Sequence, residues 1–239
     1  MFQNNLLMAA ASISAGGFSI DYSCRFNDDD SAYLEFTPTT SSAARKTFTV
    51  SAWYKRGNIG TVGQTLISPS NSGMTVFSHL LGASYSASDD IKTNAKSGSY
   101  VWNVATNVQC RDPNAWYHQV MVVDTTESAA SDRLKIYLNG VQITGSNLTT
   151  ETYPALDLET PMNFADCPIG VGRMGAYTGT DAEFFDGYMA QVAQVSELAL
   201  EPTSFGEFDD NGVWRPIDIT GLDYSGENSF LLDFADSGN

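Results

Sequence analysis

One segment in the middle of the chain constrains the fold more than any other. Residues 134–138 alternate between apolar and polar side chains, the pair Asn139 and Gly140 follows, and the alternation resumes over residues 141–143. A side-chain period of two predicts β-strands. Asn-Gly between two such strands predicts a type I′ turn, because both central residues of that turn need a positive φ. The segment therefore predicts an antiparallel β-hairpin.

Other parts of the chain repeat this pattern. Residues 48–54, 100–108, 116–123 and 184–195 also alternate with a period near two. Turn-forming residues recur roughly every ten positions, and no segment with a helical period is long. These features predict an all-β protein built as a two-sheet antiparallel sandwich.

Length and charge limit the classes of partner. The chain has 239 residues, which suits one large all-β domain. Twelve basic residues against 28 acidic ones give a formal charge of −16, which disfavours binding to nucleic-acid backbones and to anionic membranes. Two interpretations of the charge stay open: solubility at high copy number, and divalent-cation binding or a high-salt habitat.

The ends of the chain differ from its middle. Residues 1–20 are first apolar and then rich in Ala, Ser and Gly, which predicts an arm that is either disordered or ordered by a neighbour. We predict the sandwich domain over residues 21–200 and a C-terminal extension over residues 201–239, clamped onto the sandwich by Trp214. No basic residue precedes Arg25, so no secretory signal is predicted, and no apolar run is long enough to span a membrane.

Five segments carry a resemblance to a known fold family. They are FTVSAWYKRG, AWYHQVMVVDTT, RLKIYLNGVQIT, IGVGR and FFDGYMAQVAQV, which lie in this order between about residues 48 and 195. Together they resemble the laminin-G-like, concanavalin-A-like jelly-roll superfamily. The resemblance implies that the predicted sandwich is a jelly roll.

A second set of segments resembles virion proteins of tailed bacteriophages that carry this domain. The segments are NNLLMAAAS, SIDYSCRFNDDDSAYLEFTP, RDPNAWYH, LEPTSFGEFDDNGVWRP and SFLLDFADS. The resemblance implies a non-enzymatic head-decoration, tail or fibre component, made in the bacterial cytoplasm and carried in the virion. Its expected partners are capsid or tail proteins and further copies of itself. The arm would attach through its large apolar residues, Phe2, Leu6, Leu7 and Met8.

The same resemblance suggests two kinds of binding site. Glycan binding on such folds uses exposed aromatic residues on loops, and the candidates here are Tyr85, Tyr100, Tyr153 and Tyr177. Laminin-G-like domains often hold calcium at the rim through loop carboxylates. The candidates for that ion are Asp124, Asp181 and Asp186, and no other cofactor is expected.

Catalytic patterns are missing from the sequence. A glycoside hydrolase on this fold would need paired carboxylates, usually in an E-x-D-x-x-E string, and this string does not occur. There is no G-x-S-x-G beside either histidine, and His118 is predicted to be a packed or hydrogen-bonded strand residue. Two alternatives to a virion component stay open: a dedicated module for host-surface polysaccharide, and a polysaccharide-degrading enzyme.

Overall fold

Short β-strands make up most of the ordered structure. The computed structural model describes residues 17–40, 43–60, 63–69, 89–97, 99–174 and 183–235. Within these ranges the strands are β1 (Cys24–Phe26), β2 (Leu34–Phe36), β3 (Thr47–Arg56), β4 (Ile67–Pro69), β5 (Asp90–Ser97), β6 (Ser99–Gln109), β7 (Tyr117–Asp124), β8 (Leu134–Leu138), β9 (Val141–Gln142), β10 (Leu148–Thr152), β11 (Ile169–Val171), β12 (Gly187–Ser196), β13 (Gly206–Phe208), β14 (Trp214–Pro216) and β15 (Phe230–Leu232). The helical elements in the same ranges are single 3-10 turns, at Ala43–Arg45, Ala130–Asp132, Gly145–Asn147 and Pro202–Ser204. None of these turns has the length or the apolar character of a membrane-crossing helix.

The largest sheet has seven strands that pair in antiparallel fashion. Its order is β1-β12-β3-β7-β8-β9, and β15 pairs with β12 on the same edge as β1. The predicted hairpin is β8–β9, and Asn139 and Gly140 have φ values of 48° and 78°. The left-handed conformation that the Asn-Gly pair predicts is therefore confirmed.

Two smaller sheets form the second layer. Their orders are β10-β6-β5 and β2-β11-β4. One continuous cluster of buried apolar side chains joins both of them to the inner face of the large sheet. On β6, for example, Trp102, Val104 and Thr106 are buried, whereas the residues between them are more exposed. The predicted all-β, two-sheet antiparallel sandwich is confirmed, with its second layer divided in two.

The outer face of the large sheet also carries buried apolar side chains. On β7, Met121 and Val123 belong to the inner core, while Val120 and Val122 belong to a second cluster on the opposite face. Residues after the last long strand cover this cluster, with Phe205 fully buried against it. Burying a side chain of this size contributes about 1.5–3 kcal/mol. The apolar residues on the two faces of β7 therefore pack against different elements, the second layer on one face and the C-terminal extension on the other.

Described residues towards both ends of the chain pack on the sandwich. Ile20, inside the predicted arm, packs against the cluster of Trp53, Ala190 and Trp214. Residues 1–16, which include the attachment candidates Phe2, Leu6, Leu7 and Met8, lie outside the described residues. The extension adds β15 to the large sheet as well as covering its outer face.

Candidate functional site

A groove opens at one edge of the sandwich, between the β8–β9 hairpin of the large sheet and β10 of the smaller sheet. The chain crosses from one layer to the other over residues 143–147, so the two sheet edges lie side by side here. The groove has a volume of about 240 Å³. This is slightly below the roughly 300–1,000 Å³ of pockets for drug-sized ligands. It suits a ligand of one or two rings.

The floor of the groove is apolar. On β8 the alternation that defines the hairpin directs Leu134 and Ile136 inward. Side chains from β6 and from the crossing segment complete this floor, and their residues are Val104, Ile143 and Leu148. These five side chains also belong to, or pack against, the inner core. The floor is therefore held in place by the same packing that stabilises the sandwich.

The polar rim centres on Tyr153, directly after β10. Its ring is half-buried, and its hydroxyl donates a hydrogen bond to Oε2 of Glu151 over 3.1 Å. Burial, together with the hydrogen bond to the negative Glu151, raises the pKa of Tyr153 to about 12. The hydroxyl therefore keeps its proton at neutral pH, and the carboxylate fixes its direction.

Arg133 anchors the chain next to Tyr153. Its guanidinium donates to the carbonyl oxygens of Glu127 (2.7 Å), Ser128 (2.8 Å) and Pro154 (3.1 Å). The first two carbonyls belong to the β7–β8 loop, and the third follows Tyr153 in the chain. Three donors in a rigid fork fix the backbone more firmly than a lysine would. Arg133 is thus a positioning residue for the rim.

Three charged side chains line the groove: Asp132, Lys135 and Glu151. Lys135 Nζ lies 3.7 Å from Oδ1 of Asp132, which precedes it by three residues in the sequence. Gln142 on β9 adds an amide. The rim thus combines one aromatic ring, one amide and a net charge of −1 above an apolar floor.

A serine–histidine pair on the large sheet superficially resembles a catalytic dyad. Ser51 Oγ lies 2.8 Å from Nε2 of His118, and the indole Nε1–H of Trp214 donates to Nδ1 of His118 over 2.9 Å. Nδ1 therefore accepts, and Nε2 carries the proton and donates it to Ser51. Burial lowers the pKa of His118 to about 3. A general base for Ser51 needs the opposite tautomer, so this histidine cannot activate the serine.

The rings around His118 explain its burial. Trp53 stacks on one side at 4.6 Å between ring centroids, and Trp214 stacks at 5.9 Å. Trp214 also lies directly over Gly140 of the hairpin turn. Asn139 accepts a hydrogen bond from the backbone N–H of His118. The cluster around His118 therefore links β7, the β8–β9 hairpin and the C-terminal extension through packing and hydrogen bonds.

The sequence matches one family across most of the chain. The laminin-G-like family profile, described as the concanavalin A-like lectin/glucanases superfamily, matches residues 28–203. The chain belongs to this superfamily. Comparison with curated protein sequences gives no match.

Several solved structures resemble this superfamily member at low identity. Domain 4 of AbnA, a GH43 extracellular arabinanase from Geobacillus stearothermophilus in complex with arabinotriose, aligns with 72% of this chain and 69% of its own, at 16% identity and a TM-score of 0.49. The SAP-like pentraxin of Limulus polyphemus aligns with 91% of this chain and 89% of its own, at 13% identity and a TM-score of 0.49. The CBM40 of Ruminococcus gnavus IT-sialidase, bound to α2,3-sialyllactose, aligns with 72% of this chain and 92% of its own, at 15% identity and a TM-score of 0.48. At these values the family assignment rests on the sequence profile.

The two predicted glycan-contact residues that the structure describes, Tyr153 and Tyr100, lie at different places on the domain. Tyr153 lines the groove. Tyr100 is exposed near the start of β6, outside the groove, and its ring lies 5.6 Å from Nζ of Lys92. Tyr85 and Tyr177 lie outside the described residues.

The two calcium candidates that the structure describes, Asp124 and Asp186, lie far apart. Asp124 lies beside Thr47 at one end of β3, and Asp186 lies at the other end, where Gly187 pairs with Arg56. Nine residues of strand separate these ends, a distance of about 30 Å. Asp124 and Asp186 are therefore too far apart to share one ion, Asp181 lies outside the described residues, and calcium binding stays a prediction.

Each of the two carboxylates already has a structural role. Asp124 accepts hydrogen bonds from Thr47 and Thr126, which closes the loop after β7. Asp186 is buried and forms an ion pair with Arg25. The described residues contain no group of three or more side chains that could hold a metal.

Sequence reasoning missed most of the groove. Asp132, Lys135 and Glu151 belong to a 3-10 turn and two strands, and no short motif joins them. The sequence pattern that could have indicated the groove is Tyr153 itself, a large aromatic residue between a polar strand and Pro154.

Proposed function

We propose that this chain is a non-enzymatic structural protein of a bacteriophage virion and that its jelly roll binds a host-surface glycan in the edge groove. The observation that carries the glycan part is Tyr153, a half-buried ring at an apolar floor with its hydroxyl held by Glu151. Small-molecule sites combine apolar walls with a few fixed polar groups, and tyrosine supplies both characters. The description of the superfamily names lectins and glucanases, both of which contact carbohydrate.

The virion part is supported by where the phage-like segments lie. RDPNAWYH contains His118, and LEPTSFGEFDDNGVWRP contains Trp214. These two residues are joined by the buried hydrogen bond between their side chains. SFLLDFADS contains β15, which completes the edge of the large sheet. Three of the five segments that resemble phage proteins thus contain residues of one packed unit.

The non-enzymatic part is supported by the groove carboxylates. A glycosidase acid usually owes its proton to an apolar, buried setting. The Asp132 side chain is 48% exposed and is paired with Lys135. Glu151 is also exposed and accepts a hydrogen bond from Tyr153. Neither carboxyl group therefore lies in the buried, apolar setting that such an acid usually has.

Binding measurements with two tyrosine variants test the glycan part. Host-surface polysaccharide fragments are titrated into the full chain and into Tyr153→Ala by calorimetry. Truncation of a buried aromatic contact costs about 1–3 kcal/mol, so we expect affinity to fall at least fivefold. Tyr100→Ala removes an exposed tyrosine outside the groove and should bind like the wild type. Equal losses in both variants, or no loss in either, would refute the groove as the site.

The virion part is tested on purified particles. Mass spectrometry and antibody labelling of intact virions should find the protein at a fixed location and in a stoichiometric copy number. A variant lacking residues 1–16 should fold but fail to assemble if the arm attaches it. Absence from particles, combined with glycan binding, would instead support a dedicated adhesion module. Release of reducing ends from the polysaccharide would support the enzyme alternative.

A further inference from the structure

The charges of the groove are unbalanced, which bears on the ligand. Lys135 and Asp132 form an ion pair and neutralise each other. Glu151, the third charged side chain, has no basic partner among the described residues and accepts only the neutral hydroxyl of Tyr153. One carboxylate therefore faces the groove without a counter-charge. The surrounding chain, with a formal charge of −16, adds to the negative potential.

We infer that the groove selects sugars carrying a protonated amino group over neutral sugars and rejects carboxylated sugars, with Glu151 as the selecting residue. This inference rests on the proposed glycan binding in the groove. An ammonium group forms a charge-assisted hydrogen bond with a carboxylate, which is stronger than the bond from a sugar hydroxyl. A sugar carboxylate would instead meet Glu151 as a like charge.

Lys135 does not reverse this preference. Its ammonium group lies 3.7 Å from Oδ1 of Asp132, which is beyond hydrogen-bond length but close enough for partial neutralisation, and its side chain is only one-quarter exposed. An anionic sugar would have to compete with Asp132 for that cation. Tyr153 strengthens the role of Glu151, because its hydroxyl occupies one carboxylate oxygen and fixes the direction of the group. The other oxygen of Glu151 is the acceptor that we assign to the amino group.

The expected size of the preference for amino sugars follows from the solvent exposure of Glu151. Ion pairs at exposed positions are worth up to about fivefold in affinity, and salt screens them. We therefore expect a glucosamine oligomer to bind about fivefold tighter than its N-acetylated counterpart at about 20 mM salt. The preference should shrink towards unity at about 1 M salt, where the screening length is roughly 3 Å.

The test compares three probes of equal length: oligomers of glucosamine, N-acetylglucosamine and glucuronic acid. They are titrated into the full chain at about pH 6, where such amines are protonated. Glu151→Gln keeps the size and the acceptor for Tyr153 but removes the charge, so it should abolish the preference for glucosamine over N-acetylglucosamine. Asp210→Asn removes an exposed charge outside the groove and is the matched control. It should leave the preference intact.

The outcomes separate this inference from the proposed function. Equal affinity for all three probes, with loss in Tyr153→Ala, would overturn the charge selection and leave glycan binding standing. Equal reductions in Glu151→Gln and Asp210→Asn would assign the preference to the overall charge and overturn the role of Glu151. Binding of host polysaccharide but of none of the probes would also overturn the inference. No binding to any glycan would overturn both proposals.

Discussion

Replacing Trp214 by phenylalanine tests how the C-terminal extension is held on the sandwich. Trp214 is fully buried, and its indole N–H is the donor to Nδ1 of His118. Phenylalanine keeps an aromatic ring in the stack but removes this donor. Trp53 stacks on the same histidine, yet its indole N–H has no hydrogen-bond partner among the described residues. Trp53→Phe is therefore a matched control with the same loss of atoms.

The expected costs differ because of one hydrogen bond. Leaving the buried Nδ1 of His118 unpaired costs about 1–3 kcal/mol. The smaller ring leaves a void that costs about 1 kcal/mol more. Trp214→Phe should thus lower the free energy of unfolding by about 2–4 kcal/mol. Trp53→Phe leaves a similar void but removes an unpaired buried donor, so it should cost about 1 kcal/mol or less.

Urea denaturation followed by far-ultraviolet circular dichroism measures both values. This signal is preferable to fluorescence because each variant loses a tryptophan. The slope of the transition should not change, since both variants unfold the same structure. Equal losses of stability in the two variants would refute the account of the histidine cluster, because only one of them breaks the hydrogen bond.

Three further predictions concern stability. Burial lowers the pKa of His118 to about 3. As the pH falls, the imidazole of His118 is therefore protonated in the unfolded chain before it is protonated in the folded one. The free energy of unfolding should then drop by up to ~1.4 kcal/mol per pH unit between about pH 6 and pH 4.5. In a pH series of denaturation curves, His118→Gln should flatten this slope, and an unchanged slope would contradict the burial argument. Gly140→Ala should lower the free energy of unfolding, measured by thermal or urea denaturation, by about 2–4 kcal/mol. The new methyl group would collide with the indole of Trp214, and alanine would be strained at this positive φ. Gly212→Ala has a similar φ and open space around it, so it should cost only about 1 kcal/mol, and equal costs would contradict the steric contribution. Asp89→Ala should lower the free energy of unfolding by about 3–5 kcal/mol, because it removes the carboxylate that pairs with the buried guanidinium of Arg56 and leaves that charge uncompensated. A loss below about 1 kcal/mol would show that water reaches the guanidinium.

Local patterns predicted the strands well because strands and turns have local causes. The Asn139-Gly140 turn needs only two residues with positive φ, and these two residue types supply them. The alternation over residues 100–108 likewise predicts β6, in which Trp102 and Val104 point inward. Residues 90–97 are mostly polar, so no local pattern predicts a strand there, yet they form β5 by pairing with β6.

Sites that depend on register could not be predicted in this way. Asp124 and Asp186 both look like rim carboxylates, but pairing with β3 places them at opposite ends of one strand. Conversely, Lys135 and Glu151 line the same groove only because the chain crosses between layers after the hairpin. The sequence contains the residues, but the distances come from strand pairing over long separations.

Methyl-resolved NMR of the intact chain is the most direct test that the edge groove is the glycan site. Isoleucine methyl groups provide matched probes, because Ile136 and Ile143 line the groove floor and Ile219 lies in the cluster on the outer face. On titration with host-surface oligosaccharide, we predict saturable shifts at Ile136 and Ile143 and none at Ile219. Saturable shifts elsewhere with a silent groove floor, or no shifts at all, would contradict the proposal.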